Sequence, residues 1–253
     1  MHPFIKLMKL YCVDYTNSHD TTWLPKIMTE DYVVHISGHD LHLSGSYKPD
    51  VEKLFGVAPG LSITVHELYC NGDRVALRFS EHACFTDKGN ALATWRGYST
   101  YTWNGTRLTE CWVEQDFYSR HGQIKSGIPH LPQPPALDAW MTPVVPEDAS
   151  ALSVARRWLE RFDLSEVGAH SIDDEDDTHE WELALQPETV HIRDIFSAGR
   201  EVPFHAVVTG PLATDPMRRV DMAVCGVITV GKGDTIEKVS AVFDRFSVRI
   251  ARR

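Results

Sequence analysis

The sequence predicts an α+β protein of 253 residues that is divided into two parts by a proline-rich segment. Six prolines lie between residues 127 and 148. Because proline removes a backbone donor and disfavours helix at the preceding residue, we expect an extended, semi-rigid linker there. Each part opens with a helical pattern and continues with runs of β-branched and aromatic residues. This order indicates helices covering one face of a curved antiparallel sheet. The predicted domains are residues 1–126 and 149–253.

The composition excludes several classes of protein. Hydrophobic residues make up 43% of the chain, which is enough for packed cores and argues against disorder. The formal charge of −10 disfavours nucleic acid and anionic membranes as partners, because both bind basic surfaces. No apolar run approaches the ~20 residues that cross a bilayer, and we expect no signal peptide. Five cysteines without paired spacing suggest reduced thiols, so we expect a cytoplasmic protein.

The first part opens with three helical segments and one strand. The apolar face of the first helix repeats every three or four residues, at Phe4, Met8, Tyr11, Cys12 and Tyr15. A short helix follows at 21–32, with Pro25 in its first turn, where a missing N–H costs little. Residues 32–36 are predicted to form a strand and residues 48–56 a third helix, with a turn-rich connection between them.

Four further strands complete the first part, at residues 61–70, 74–85, 93–103 and 107–120. Asn71-Gly72 and Asn104-Gly105 separate two pairs of these strands, and Asn-Gly readily adopts the positive φ of tight hairpin turns. We therefore expect a four-stranded antiparallel meander.

The second part is predicted to contain one helix at 149–168, followed by strands. The strand-like runs are 178–185, 188–196, 200–210, 218–231 and 235–250. The acidic run at 173–177 lacks the glycine and the spaced glutamate of a calcium loop, so we interpret it as a solvated loop.

Four short matches in the same order relate the two parts. The run TVH at 64–66 recurs at 189–191, and GDRV at 72–75 recurs as GREV at 199–202. Gly97 matches Gly226 and Asp116 matches Asp244, so that the four offsets are 125, 127, 129 and 128. The sequence therefore predicts an internal repeat. The second copy lacks the residues of the second and third helices, so we expect a substantial pocket in the first part only.

Three segments carry a resemblance to a known family. They are YTNSHDTTWLPKIMTEDYVVHI at 15–36, GDRVALRF at 72–79 and GYSTYTWNGTRLTECWVEQD at 97–116. Together they resemble the SnoaL-like polyketide cyclases of the nuclear transport factor two-like superfamily, over about residues 4–120. A degenerate version covers 150–253. The resemblance implies two cone-shaped domains packed as an internal pseudo-dimer, present as a monomer or as a dimer of such chains.

The resemblance also implies an active site. In cyclases of this type an aspartate near the end of the last strand acts as acid and base, and that position is Asp116. The accompanying catalytic residues would be His35 on the first strand and Tyr15 on the opening helix. Facing the pocket among aromatic residues, Asp116 would be desolvated, which raises the pKa of a carboxyl group. The alternative is a structural aspartate that faces water or an arginine, and the retention of Asp244 in the second part supports it.

An aromatic pocket lining would suit a flat, apolar ligand. The predicted substrate-binding residues are Tyr11, Trp23, Trp95, Tyr98, Trp112 and Glu114. His35, His39, Asp40 and His42 cluster in the sequence without a zinc signature, so we expect neither a metal nor a cofactor.

The sequence thus favours a cofactor-free acid/base enzyme that catalyses cyclisation, isomerisation or elimination. Its expected substrate is a small hydrophobic molecule, polyketide-like or polycyclic. Two alternatives stay open: a non-catalytic module for ligand binding or assembly, and an epoxide-opening hydrolase or cyclase. A pocket with one desolvated acid near a histidine or tyrosine favours the enzyme. A wholly apolar or collapsed pocket favours the binding module.

Overall fold

The computed structural model describes residues 1–163, 167 and 185–251, which form an α+β fold with two β-sheets. The strands of the first sheet are β1 (Met28–Ile36), β2 (His39–His42), β3 (Ser62–Cys70), β4 (Val75–Phe85), β5 (Ala91–Trp103) and β6 (Leu108–Gln115). Their order is β2-β1-β6-β5-β4-β3. Neighbouring strands are antiparallel except for β1 and β6, which pair in parallel. The predicted class and the four-stranded meander are confirmed.

The second sheet is built from the second half of the chain. Its strands are β7 (Thr189–Ile195), β8 (Glu201–Leu212), β9 (Asp215–Val230) and β10 (Ile236–Phe243), in the order β10-β9-β8-β7. All neighbouring pairs in this sheet are antiparallel. The predicted strand at 178–185, apart from Leu185, and the acidic run at 173–177 lie outside the described residues.

Helices cover the first sheet and flank the second. The α-helices are α1 (Pro3–Lys9), α2 (Leu24–Ile27), α3 (Lys48–Val57), α4 (Phe117–Ser126), α5 (Ala149–Arg161) and α6 (Arg245–Ala251). A π-helix (Leu10–Asn17) continues α1, and another (Leu43–Tyr47) leads into α3. Short 3₁₀ turns occur at Thr21–Trp23, Thr86–Lys88 and Ala139–Met141. None of the helices in the described ranges is both long and apolar enough to cross a membrane.

Several predicted element boundaries are wrong. The helix predicted at 149–168 ends at Arg161, and the strand predicted at 235–250 ends at Phe243, where Asp244 precedes α6. The short helix near Pro25 ends at Ile27, and the following strand begins at Met28 rather than at residue 32. The last strand of the meander stops at Gln115 instead of continuing to residue 120. Asp116 ends it, because the Asp116 carboxylate accepts a hydrogen bond from the Ser119 backbone N–H (2.9 Å) and caps α4.

The proline-rich segment at 127–148 runs along β3, an edge strand of the first sheet. Its Ala136 N–H donates to the Val65 carbonyl (3.0 Å), and its Val145 N–H donates to the Cys70 carbonyl (2.9 Å). The segment therefore occupies backbone groups that an exposed edge strand would offer to another chain.

The two sheets contact each other through their facing surfaces. Tyr98 of β5 packs in one buried cluster with Cys225, Val227 and Val242 of the second sheet, and the Tyr98 hydroxyl hydrogen-bonds to the Ser240 hydroxyl. Thus the outer face of the first sheet is buried against the second half around Tyr98.

The sheets share features of topology but differ in register. Phe79 pairs with Gly97 across β4 and β5, and Phe204 pairs with Gly226 across β8 and β9. On the next strand, however, Gly97 faces Gln115, one residue before Asp116, whereas Gly226 faces Ala241, three residues before Asp244. Asp244 nevertheless caps α6 as Asp116 caps α4. The interpretation of the second half as a tandem copy stays a prediction.

Candidate active site

A cavity of about 300 Å³ lies between the inner face of the first sheet and the helices of the first half. Its volume falls at the low end of the ~300–1,000 Å³ range of small-molecule sites. Aromatic and aliphatic side chains form most of its wall, for example Phe55 of α3 and Phe79 of β4. Whether the second half lacks such a cavity stays a prediction, because residues 168–184 lie outside the described part of the chain.

Strand alternation decides which side chains line this cavity. Successive residues of a strand point to opposite faces of the sheet. On β4, β5 and β6 the odd-numbered residues supply the cavity wall, including Phe79, Glu81, Tyr101, Cys111, Val113 and Gln115. Gly97 faces the same side without a side chain, and a Cβ there would lie 2.4 Å from the Phe79 ring. The glycine thus makes room for the aromatic wall.

Glu81 places a carboxyl group in this wall. Glu81 is 9% exposed, and this burial raises its pKa to about 7. The Arg120 charge and a hydrogen bond from Gln115 oppose the rise in pKa. The Gln115 amide donates to the Glu81 carboxyl at 3.4 Å, while the Gln115 carbonyl accepts from the Trp95 indole N–H at 2.8 Å. The indole therefore fixes the orientation of the amide, and the amide that of the carboxyl.

Arg120 supplies a positive charge to the wall of the same cavity. Its guanidinium carbon lies 4.3 Å from the ring centre of Phe117 and 5.0 Å from that of Trp95. Such cation–π contacts hold a cation in an apolar setting. Burial lowers the pKa of Arg120, and the Glu81 charge opposes this. Glu81 is not among the ion-pair partners of Arg120 within the described residues, so the two groups act on each other through space.

Three tyrosines place hydroxyl groups along the same cavity. The Tyr15 hydroxyl donates to the Tyr47 hydroxyl at 3.1 Å, and the Tyr11 and Tyr47 hydroxyls lie 3.4 Å apart. Burial raises the pKa of all three phenols well above the usual value, so each keeps its proton at neutral pH.

The three predicted catalytic side chains do not come together. Tyr15 lines the cavity, but Asp116 does not. The Asp116 carboxylate is 2% exposed and forms an ion pair with Arg245 of α6 at 2.5 Å, in addition to capping α4. It borders a separate small cavity of about 40 Å³ beneath the proline-rich segment. The surroundings of Asp116 correspond to the structural alternative that the sequence left open.

His35, Trp112 and Glu114 lie on the other face of the first sheet. They border a cavity of about 390 Å³ between the two halves. His35 stacks on Trp112 with ring centres 5.2 Å apart, and its Nδ1 and Nε2 lie 2.7 Å and 2.9 Å from Asp40 and Glu110. Even-numbered β6 residues point away from the helices, so Trp112 and Glu114 do not line the main cavity.

Glu114 is fully buried at this contact between the halves. Its carboxyl group lies 3.0 Å from His205 Nε2 and accepts the Ser37 N–H at 3.1 Å. Burial raises the pKa of Glu114, and the hydrogen bond from His205 opposes that effect. Glu114 is thus held by protein groups rather than facing the main cavity.

The remaining predicted binding residues are dispersed. Tyr11 lines the main cavity beside Tyr15. Trp23 is partly buried at the edge of the core, with the Lys26 ammonium 4.4 Å from its ring centre. Trp95 is buried behind Gln115, and Tyr98 lies between the sheets. The histidine cluster at 35–42 does not gather into a metal-binding group within the described residues.

Sequence reasoning missed Glu81 and Arg120. A signal for Glu81 was present, because it interrupts an alternating apolar stripe that includes Val75, Leu77 and Phe79. An acid at such a position is expected to face the core. Arg120 left no such signal, since the predicted strand ran through residues 107–120 and hid the start of α4.

The helical cover and the six-stranded sheet define an α+β domain that encloses a largely apolar cavity. Residues 11–111 match the SnoaL-like domain family, so the first half of the chain contains a SnoaL-like domain, and the predicted resemblance is confirmed there.

Several solved structures are similar to about half of the chain. AclR from Streptomyces galilaeus is 18% identical, with a TM-score of 0.44 over 52% of this chain and 100% of AclR. IdmH from Streptomyces antibioticus is 20% identical, with a TM-score of 0.42 over 49% of this chain and 99% of IdmH. A SnoaL-like polyketide cyclase from Agrobacterium tumefaciens is 19% identical, with a TM-score of 0.41 over 49% of this chain and 99% of that protein. No curated protein sequence matches the chain significantly.

Proposed function

We propose that the first half is a cofactor-free acid/base enzyme that acts on a small hydrophobic carbonyl compound, polyketide-like or polycyclic, with Glu81 as the acid/base group. One observation carries the proposal: a buried carboxyl group with a pKa of about 7 lines a largely apolar cavity of about 300 Å³. A catalytic acid or base works best when its pKa lies near the working pH. The SnoaL-like domain assignment is consistent with chemistry of this kind.

The proposed step is proton abstraction next to a carbonyl group. The ionised Glu81 carboxylate takes a proton from the carbon adjacent to the carbonyl. The electron pair of that C–H bond moves into the carbonyl group and leaves negative charge on its oxygen. The nearby Arg120 cation stabilises this charge, since a fixed cation in a water-poor site acts strongly on a developing oxyanion. Return of the proton to another carbon gives isomerisation. Attack by the enolate carbon on a second carbonyl of the same molecule gives cyclisation, and the proton on Glu81 then passes to the alkoxide oxygen that this attack forms.

The surrounding side chains support this assignment of roles. Gln115 fixes the Glu81 carboxyl and is itself fixed by Trp95, so the carboxyl is oriented before a ligand enters. Pre-orientation of this kind lowers the cost of reaching the transition state. We assign Gln115 and Trp95 as positioning residues rather than catalytic ones.

Hydrogen exchange of a simple ketone tests the proposal without knowledge of the natural substrate. We expect the protein to accelerate exchange of the α-hydrogens of 2-tetralone in D₂O, followed by proton NMR. The rate should rise with pH through about 7 as Glu81 ionises. The Glu81→Gln variant should lose ~10²–10⁴-fold of the acceleration, the usual contribution of a positioned acid/base group.

Two comparison variants sharpen this test. Glu30→Gln changes an exposed carboxylate and should leave the exchange rate unaltered. Asp116→Asn tests the prediction from the sequence that Asp116 is the catalytic acid and base. If this variant slows α-hydrogen exchange and Glu81→Gln does not, the proposed role of Glu81 is overturned. If 2-tetralone binds in the cavity without any acceleration of exchange, the first half is a ligand-binding module instead.

A further inference from the structure

One face of the helix α4 belongs to the main cavity. Phe117 and Arg120, which are three residues apart and therefore share a helical face, form part of the cavity wall. Ile124 continues this face, and it packs with Phe117 against the buried cluster that contains Trp95. The position of the Arg120 cation in the cavity thus depends on how α4 is held in place.

A second face of α4 contacts α6 of the second half. The ring centres of His121 on α4 and Phe246 on α6 are 5.7 Å apart, in an edge-to-face arrangement. The Arg245 guanidinium carbon of α6 lies 5.0 Å from the ring centre of Tyr118. Because Tyr118 and His121 are also three residues apart, they form a face of α4 that differs from the cavity face. The helix α4 is therefore packed between the first half and α6.

A buried ion pair ties the start of α4 to α6. The Arg245 guanidinium lies 2.5 Å from the Asp116 carboxylate, and the two side chains are 8% and 3% exposed. The backbone carbonyl of Asp116 accepts the Arg120 N–H at 3.1 Å. Arg120 thus follows, by one helical turn, the residue that Arg245 holds. Because both charges are buried, separating them would leave each without a partner in a water-poor setting.

We propose that Arg245 of the second half is a positioning residue for the main cavity, acting through Asp116 and α4 to hold the Arg120 cation in the cavity wall. The contacts along this path are those of the structure, whereas the value of a fixed cation for catalysis rests on the proposed function. The described residues of the cavity wall all lie between Tyr11 and Arg120. The second half therefore contributes to this site without lining it.

The Glu81 carboxyl reports on the position of the cation. Burial raises the pKa of Glu81 to about 7, and the Arg120 charge opposes this rise. Glu81 also interacts with Cys12 and Tyr15 of the π-helix that continues α1, and burial keeps both neutral at pH 7. Asp50, a further acid of the wall, is exposed. Arg120 is the only arginine or lysine among the described wall residues, so its displacement should raise the pKa of Glu81.

Carbon NMR of protein labelled with ¹³C at its glutamate carboxyl groups measures the pKa of Glu81, whose signal is missing from Glu81→Gln. We expect Arg245→Gln to raise this pKa by about 0.5–1 unit, a part of the ~1–3 units that a nearby opposite charge contributes. The same variant should slow α-hydrogen exchange of 2-tetralone about tenfold to a hundredfold, because an ~1 Å misplacement has effects of that size. Arg219→Gln removes an exposed arginine of the second half and should change neither quantity.

A double variant establishes whether Arg245 acts through Arg120. Arg120→Gln removes the cation and should itself raise the pKa of Glu81. In that background Arg245→Gln should cause no further rise, since the group that it positions is gone. Arg245→Lys keeps a charge that can pair with Asp116, and it should return the pKa of Glu81 toward the wild-type value. Additive rises from Arg120→Gln and Arg245→Gln would overturn the proposed path.

The outcomes separate this inference from the proposed function. Circular dichroism establishes that each variant is folded. A folded Arg245→Gln variant in which Glu81 titrates as in the wild type overturns the positioning role, whatever the exchange rate. If Arg245→Gln does not fold, the double variant Asp116→Asn, Arg245→Gln replaces it, because it leaves no unpaired buried charge, and an unshifted pKa there has the same meaning. If the pKa rises as expected but Glu81→Gln does not slow exchange, the acid/base role of Glu81 fails and the positioning path stands.

Discussion

Glu81 and Asp116 are both buried acids of the first half, but their neighbours differ. Glu81 faces an apolar cavity, an amide and a cation that it does not contact directly. Asp116 accepts a backbone N–H at a helix start and pairs with Arg245. The hydrogen-bonding capacity of Asp116 is thus taken up by protein groups, whereas burial beside the apolar cavity raises the pKa of Glu81 to about 7. Burial alone therefore does not identify the acid/base group. The groups that contact each carboxyl distinguish the two residues.

The raised pKa of Glu81 has a consequence for stability. The folded-state pKa of about 7 lies above the ordinary value of 4.5, so the folded protein binds this proton more tightly than the unfolded chain. Stability therefore falls as pH rises from 4.5 through 7. Glu81→Gln removes this pH dependence. We therefore expect the free energy of unfolding of the variant, relative to that of the wild type, to increase by up to about 3 kcal/mol between pH 5 and pH 8.

Urea unfolding of both proteins at pH 5 and pH 8 measures this difference. Glu30→Gln serves as the control, because its carboxylate is exposed and should show the pH dependence of the wild type. A Glu81→Gln variant with the same pH dependence as wild type would show that Glu81 titrates normally.

At the scale of elements, helix caps explain the paired aspartates of the two halves. Asp116 caps α4 through Ser119, and Asp244 caps α6 through the Ser247 N–H at 3.2 Å. An acidic residue at this position satisfies free N–H groups and interacts favourably with the helix dipole. The shared aspartate thus has a local structural reason in both halves, independent of any catalytic role.

The ion pair of Asp116 predicts a contrast between the two caps. Asparagine caps helices about as well as aspartate, so Asp116→Asn removes mainly the charge that faces the buried Arg245. Removing one partner of a buried ion pair costs about 3–5 kcal/mol. Asp244→Asn, which has no such pair among the described residues, should cost no more than about 1 kcal/mol. Guanidinium unfolding measures the loss of unfolding free energy in each variant. Equal losses would contradict the predicted contribution of the Asp116–Arg245 ion pair to stability.

At the scale of the whole molecule, polar side chains join the two halves. Glu114 of β6 meets His205 of β8 at 3.0 Å, and Arg74 of the first half pairs with Asp194 of β7. Asp194 also accepts a hydrogen bond from Thr100 of β5. These groups are largely buried, so each depends on its partner to offset the loss of water.

A double-mutant cycle on Glu114 and His205 measures how strongly the halves are coupled. We expect Glu114→Gln and His205→Gln each to lower the free energy of unfolding, and the double variant to lose less than the sum. The coupling should be about 0.5–3 kcal/mol, as for contacting polar groups. The exposed pair Glu30→Gln and His191→Gln should be additive. Additive losses at Glu114 and His205 would instead mean that each half is stable without this contact.

The sequence by itself determined the elements and the class of the molecule. Alternating apolar residues marked β3, β4 and β5, and Asn-Gly pairs marked the turns, where Gly72 and Gly105 adopt φ values of 104° and 92°. These features depend on neighbours in the chain, so local steric preferences are enough to predict them. The same local patterns carried the resemblance to the SnoaL-like family over the first half.

Only the tertiary structure decided the site. The sequence left open which face of β6 turns toward the helices, and that choice placed Gln115 in the main cavity and Glu114 between the halves. Asp116 pairs with Arg245 of α6, which lies 129 residues further along the chain. Glu81 accepts a hydrogen bond from Gln115 of β6, at a separation of 34 residues. The ionisation of a carboxyl group depends on burial and on charges within a few ångströms. Chain folding brings those neighbours together, and no local pattern specifies them.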